Sequence, residues 1–261
     1  MRTVKLILSY DGADFAGWQT QQGVRTVQAT LEEAIEKITG VRPSTLASGR
    51  TDAGVHALGQ VVGFRTESQL PAEVLQRALN AILPHSMAVL DLAEVHDSFH
   101  ATHDALRKRY RYVIHDGPIR DVFSRRYTWH FAHGRLDVAA MRQAAAALIG
   151  RHDFSSFETT GSPRKTSVRT VYDLCVERGR GEQEHFVTLE IEANGFLYNM
   201  VRTIVGTLAD VGRGARPESW PGEVLLAKDR RRAGRTAPPQ GLFLVNVEYP
   251  RSPGRTGNDL P

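Results

Sequence analysis

Apolar and polar residues alternate at the start of the chain. Val4, Leu6, Leu8 and Tyr10 fall on one side of a period-two pattern and Lys5, Ile7 and Ser9 on the other, which predicts a strand ending in a turn at Asp11-Gly12. After Thr26 the period lengthens. Val27, Leu31, Ala34, Ile35 and Ile38 share one helical face, and Gly40 stands where the helix should stop. Strand patterns return around 60–64 and 87–95, separated by a helix that Pro71 opens and whose apolar face is Val74, Leu75, Ala78, Leu79 and Ile82. The same grammar repeats loosely downstream. A strand is predicted over 107–115, then an alanine-rich helix capped by Asp137 and running to Ile149, then strands over 168–176 and 185–193. A helix over 196–211 follows, burying Leu197, Val201, Ile204, Val205 and Leu208 with Gly212 after its end, and the last strand covers 242–249. This order lacks the strict alternation of a doubly wound fold and predicts an α+β protein with a largely antiparallel sheet. Two halves are expected, 1–105 and 106–250, with a disordered tail over 251–261, where Pro, Gly, Arg and Asn dominate.

Composition adds modest constraints. At 261 residues, 41% hydrophobic and 24% charged, the chain is an ordinary globular one with ample core. Its formal charge of +4 permits a polyanionic partner, and its basic residues are 28 Arg against 5 Lys. Arginine suits bidentate phosphate contacts and base stacking; genome base composition gives the same skew. The single cysteine, Cys175, excludes a disulfide framework within the chain and a multi-cysteine zinc site, and its alternating context VYDLCVE predicts a small buried hydrophobe. No run of about 18 apolar residues occurs and the N-terminus has no signal-peptide core, so a soluble cytoplasmic protein without membrane contact is expected.

The densest chemistry lies in GRTDAGVHA, from Gly49 to Ala57. Gly49 and Gly54 allow tight backbone approach, Thr51 and Asp52 are turn and cap formers, and Arg50 offers a planar fork for phosphate or base edges. A rigid carboxylate beside such a fork is what a covalent or acid-base step on a nucleotide needs. The spacing alone more readily describes a tight turn with a capping Asp52 and a solvated Arg50. In RKRYRYVI, from Arg107 to Ile114, a strand would set Tyr110 and Tyr112 on one face and Arg109 and Arg111 on the other. Either the tyrosines stack on nucleotides beside guanidinium groups, or they point inward and the arginines outward. Arg202 interrupts the apolar helix NMVRTIVG and either reaches solvent or meets a carboxylate across a cleft. His96, His100 and His103 are spaced as metal ligands on a helix would be, and a metal-dependent hydrolase with Asp52 as ligand or base is the rival class; helical propensity there is poor. The clusters Arg164-Lys165, Arg230-Arg231-Arg232 and Arg235 contact phosphates or face water.

YDGADFAGWQTQ, TVQATLEEA, GRTDAGVHALGQVVGF, LNAILP, FHA, RYRYVI, DFSSF, NMVRTIVGTLADVG and GLFLVNVEY stand in an order that closely resembles the tRNA pseudouridine synthase A family over nearly the whole chain. The resemblance implies the pseudouridine synthase fold, with two similar ferredoxin-like-related halves sharing an extended antiparallel sheet around a central basic cleft. It also implies a homodimer that isomerises uridine at positions 38, 39 and 40 in the anticodon arm of tRNA, with no cofactor and no metal. By the same resemblance Asp52 is the catalytic aspartate and Arg50 helps displace the target nucleotide. Tyr110 packs on its uracil, and Arg202 pairs with the carboxylate. Two departures stand out. Thr102 follows FHA where the family commonly has arginine, a loss that nearby Arg107 or Lys108 could offset, and APPQG replaces a form with histidine before the glycine. A third class, an RNA-binding module without catalysis, would bind tRNA in a salt-sensitive way and form no product.

Overall fold

The computed structural model describes residues 1–159 and 166–250. Arg164-Lys165 and the tail over 251–261 lie outside the described residues. The chain opens with β1 (Arg2–Tyr10), whose Val4, Leu6, Leu8 and Tyr10 are buried as the alternation predicts. Helix α1 (Val27–Thr39) is capped by Thr26, whose Oγ1 accepts the Ala29 N–H, and it ends at Gly40 with φ +78°. The two-residue β2 (Leu46–Ala47) lies along β3 (His56–Thr66), then α2 (Ala72–Ile82) follows Pro71 and leads into β4 (Met87–Val95).

The remaining elements are β5 (Arg107–His115), the short β6 (Trp129–His130), α3 (Val138–Ala145) and β7 (Gly150–Asp153). After them come β8 (Val168–Arg178), β9 (Phe186–Ala193), α4 (Met200–Gly212), α5 (Trp220–Ala227) and β10 (Leu242–Glu248). All ten strands belong to one sheet ordered β4-β1-β3-β10-β5-β9-β8-β7, with β2 on β3 and β6 on β5. Every pairing is antiparallel except β10 with β3 and β6 with β5. The fold is therefore α+β with a large, mostly antiparallel sheet.

The last strand is the seam. β10 runs parallel to β3 only at Phe243↔His56 and Leu244↔Ala57, and antiparallel to β5 from Leu242 to Glu248. Close approach demands a glycine there, because a Cβ on Gly59 would stand 2.7 Å from the Val245 carbonyl oxygen. A single hydrophobic cluster runs through both sets of strands, including Leu6, Leu31, Leu75, Tyr112, Ile191 and Leu208. Each such side chain contributes about 1.5–3 kcal/mol relative to exposure.

Several boundaries differ from the sequence pattern for physical reasons. β3 begins at His56 instead of residue 60, since His56 and Ala57 pair with Phe243 and Leu244 of β10 and Ala57 also with Tyr10 of β1, contacts a local pattern does not record. The alanine-rich helix tightens to a 3-10 turn over 146–148. The fourth helix starts at Met200, not Phe196, because Asn199 adopts a left-handed conformation with φ +61°. Gly212 is its last residue, where a Cβ would come within 2.7 Å of the Met141 side chain. Helix α5 escapes the pattern because Pro221 and Gly222 break it on paper, although Pro is tolerated in a first turn. Cys175 is half-buried on the opposite face from Leu174 and Val176, not a core residue, and burial followed by Glu177 pushes its thiol pKa up.

Candidate active site

Asp52 sits in a loop whose path is fixed from both sides. The Val55 N–H closes a turn on the Asp52 carbonyl at 3.1 Å, with Gly54 at φ +78°. Residues 12–18 press against it: the Trp18 N–H donates to the Thr51 carbonyl at 2.9 Å, and a Cβ on Gly12 would stand 2.0 Å from the Val55 oxygen. Below the loop lies a buried polar network. The Tyr10 and Thr51 hydroxyls meet at 2.8 Å, Ser48 Oγ donates to Gln60 Oε1 at 2.7 Å, and Gln60 Nε2 donates to the Gly49 carbonyl at 2.8 Å. Lys108 Nζ donates to the Ser48 carbonyl at 2.5 Å. Burial pushes the Tyr10 phenol up to about 12 despite its bonds to Thr51 and Gln60, so it remains a neutral member of this network.

Arg202 comes from the first turn of α4. Its Nη1 donates to Asp52 Oδ2 at 3.1 Å and to Asn199 Oδ1 at 2.8 Å, while Nε donates to the Ala237 carbonyl at 2.7 Å. The open question from the helix pattern is answered by this pair. The Arg202 side chain is 15% exposed and that of Asp52 is 32% exposed, so the carboxylate faces an accessible space with its counter-charge beneath it.

That space is a cleft of about 1250 Å³ lined by Asp52, Arg50, Arg202 and Tyr110. All four residues singled out in the sequence therefore border one cavity. Arg50, Lys108, Arg169 and Arg202 are set against a single carboxylate, Asp52, among the described lining residues, which makes the cleft basic. Arg50 is exposed and makes no ion pair or hydrogen bond among the described residues. Tyr110 is held edge-on by Phe196, with ring centroids 5.0 Å apart. Its phenol pKa is raised, first by burial and then by its proximity to Tyr10 and to the Asp52 carboxylate.

Other candidates go elsewhere. On β5 the arginines point away from the cleft. Arg109 contacts Asp173, Glu190 and Glu192, Arg111 contacts Glu190, and Arg107 contacts Glu192 and Glu248. Of the two residues that could offset Thr102, only Lys108 lines the cleft. Thr102 itself donates to the Ala47 carbonyl at 2.8 Å. The His96 to Asp104 segment is a series of turns, not a helix, so its spacing does not gather three imidazoles. Among the described residues no group of three or more His, Cys, Asp and Glu is arranged to hold a metal.

Arg235 lies over Trp129, Arg230 donates to the Gly234 carbonyl and Thr236, and Arg231 pairs with Asp229. His56 is a structural staple. It accepts the Gly12 N–H on Nδ1, reaches the Arg126 and Gln240 carbonyls with Nε2, and is held below its ordinary pKa by burial although Asp11 opposes this. Sequence reasoning missed Gln60 and Asn199. The second had a readable signal, an Asn beside a helix start, since Asn tolerates left-handed geometry.

Among the described residues no helix is long and apolar enough to cross a membrane. The family model described as tRNA pseudouridine synthase matches residues 6–104 and 144–250. The chain is 47% identical to a tRNA pseudouridine synthase A of Thermoanaerobacter pseudethanolicus over 249 residues, covering 95% of this chain and 100% of that one. It is 46% identical to that of Acetivibrio thermocellus over 250 residues, with coverages of 95% and 100%. Against that of Myxococcus xanthus it is 44% identical over 261 residues, with coverages of 98% and 97%.

Proposed function

The chain belongs to the tRNA pseudouridine synthase family, and we propose that its basic cleft converts uridine to pseudouridine at positions 38, 39 and 40 of the tRNA anticodon arm, with Asp52 as the catalytic carboxylate. The protein is an isomerase. In the net reaction the bond from C1′ to N1 breaks, the uracil turns within the closed site, and C1′ joins C5; C5 loses a proton and N1 gains one. No cofactor is called for by that balance. Asp52 acts at the ribose or the ring as nucleophile or base, with Arg202 as counter-charge. Tyr110 packs on one face of the extruded uracil, and Arg50, exposed at the mouth, takes the place of the displaced nucleotide or holds its phosphate. The same reading makes the protein a cytoplasmic homodimer, supported by its family membership.

The observation that carries the assignment is the pair of Asp52 and Arg202, held 3.1 Å apart at the floor of a cleft that is otherwise cationic. An anionic RNA backbone is drawn to such a cleft while the one carboxylate stays available for chemistry. The decisive experiment uses unmodified tRNA transcript with the purified protein and its Asp52→Asn variant. Wild type forms pseudouridine and the variant loses at least about 10³-fold in rate while still binding tRNA. Binding without product in the wild type would instead mark an RNA-binding module, and undiminished turnover in the variant would remove Asp52 from the mechanism.

A further inference from the structure

Asn199 holds φ +61° and is, with Lys228, one of two non-glycine residues at positive φ among the described residues. Such a conformation is strained for most L-residues, Asn tolerates it better than others, and it is fixed here by its surroundings. Here the enforcement is explicit. Asn199 Nδ2 donates to Thr159 Oγ1 at 3.0 Å, and its Oδ1 accepts from Arg202 Nη1 at 2.8 Å. The preceding residue is pinned as well, since the Thr159 N–H donates to the Tyr198 carbonyl at 3.1 Å.

This turn has two consequences. It starts α4 at Met200, which puts Arg202 under Asp52, and it leaves Tyr198 outside the helix on the bank of the cleft. Of the three consecutive residues before Asn199, Phe196 packs against Tyr110 and Leu197 is buried, but Tyr198 is 42% exposed. Among the described residues its hydroxyl has no hydrogen-bond partner and its ring no aromatic neighbour. An aromatic ring on a rigid turn, bordering a cationic cleft and left with an open face, is the element that single-stranded RNA bases stack upon.

Extruding one nucleotide leaves its neighbours in the strand without a stacking partner. We propose that Tyr198 forms a second base subsite, stacking on the nucleotide adjacent to the extruded uridine, while Tyr110 holds the uridine itself. The subsite rests on the isomerase reading above. Stacking needs only a π-face, so it tolerates any base and suits an enzyme that meets different sequences at its several target positions.

The test combines protein and RNA changes. Stem-loop RNAs carry the target uridine with an intact neighbour or with an abasic residue on its 5′ or 3′ side, and they are given to wild type, Tyr198→Phe and Tyr198→Ala. With intact RNA, Tyr198→Ala raises KM about 5- to 100-fold, the loss falls on KM more than on kcat, and Tyr198→Phe recovers most of it. On one of the abasic RNAs the difference between wild type and Tyr198→Ala disappears. Affinities of the same RNAs for proteins that also carry Asp52→Asn read the stack without turnover. Equal affinity for intact RNA with and without the Tyr198→Ala change, or an undiminished penalty on both abasic RNAs, overturns the stacking role. Absence of pseudouridine from wild type on every RNA overturns the isomerase reading, and this subsite with it.

Discussion

Arg202 donates from one nitrogen, Nη1, to both Asp52 and Asn199, so the group that faces the carboxylate also fixes the turn that delivers it. With Nε on the Ala237 carbonyl, three acceptors from three segments converge on one guanidinium. A lysine has one point charge and cannot meet all three in this fork geometry. Arg202→Lys is expected to fold, to keep tRNA affinity within about threefold, and to lose about 10- to 100-fold in kcat. Steady-state kinetics separates these, and an unchanged kcat would show that the fork is dispensable.

Tyr110 lends itself to a separation of ring from hydroxyl. The ring borders the cleft and the hydroxyl makes no hydrogen bond among the described residues. Tyr110→Phe keeps the stacking face, so KM for tRNA should change by less than about threefold, and its kcat then reports the hydroxyl alone. Tyr110→Ala should raise KM by about tenfold or more. A KM equally poor in both variants would contradict a stacking role.

Gly12 is a steric requirement. Its missing Cβ would lie 2.0 Å from the Val55 carbonyl oxygen, in the loop that carries Asp52. Gly12→Ala should cost about 1–3 kcal/mol of stability, and activity should fall beyond what the unfolded fraction explains. Thermal denaturation and activity measured well below the midpoint distinguish the two effects.

Asp116 and Arg178 give a pH dependence with a definite sign. Asp116 is buried and accepts both Arg178 nitrogens, at 3.0 and 2.7 Å, and the Leu136 N–H at 2.9 Å. Burial works to raise its pKa, but the hydrogen bonds from Arg178 and Leu136 outweigh it and hold the carboxyl below its ordinary value of 3.8. The folded state thus favours the ionised form. Its contribution is fully present above about pH 4 and is lost as pH falls below the ordinary value toward the depressed one. Asp116→Asn should lose about 3 kcal/mol at pH 7 and show a shallower acid decline, read by denaturant unfolding at several pH values. A variant that follows the wild-type decline would refute the assignment.

Elements with a clear period were legible from the residues alone. The strands over 87–95 and 107–115 and the helix ending at Gly40 have their expected bounds, because one face is buried and the pattern records it. Short strands such as β2 and β6 left no trace, being two residues long and held by neighbours distant in sequence. The start of α4 was misread because Phe196, Leu197 and Tyr198 continue the apolar pattern, while the break depends on side chains of Thr159 and Arg202 meeting Asn199. The alternation on β5 correctly sorted tyrosines from arginines. What it could not give was the fate of the arginines, neutralised by Glu190 and Glu192 on the adjacent β9 and by Asp173 on β8, one strand further on.

The position of β10 also sets an order of events in folding. The strand nearest the end of the described chain is inserted between β3 and β5, so the sheet cannot close until residues 242–248 have been synthesised. Its pairing with β3 at Phe243↔His56 spans most of the polypeptide, a long loop to close and a slow step in assembly. Asp52 and Arg202 lie on opposite sides of that seam. A nascent or truncated chain lacking this strand loses the ladder that joins β3 to β5 and keeps across the seam only contacts such as those of Lys108 with Ser48 and His56 with Arg126, so β10 supplies most of the framework that aligns the carboxylate with its counter-charge.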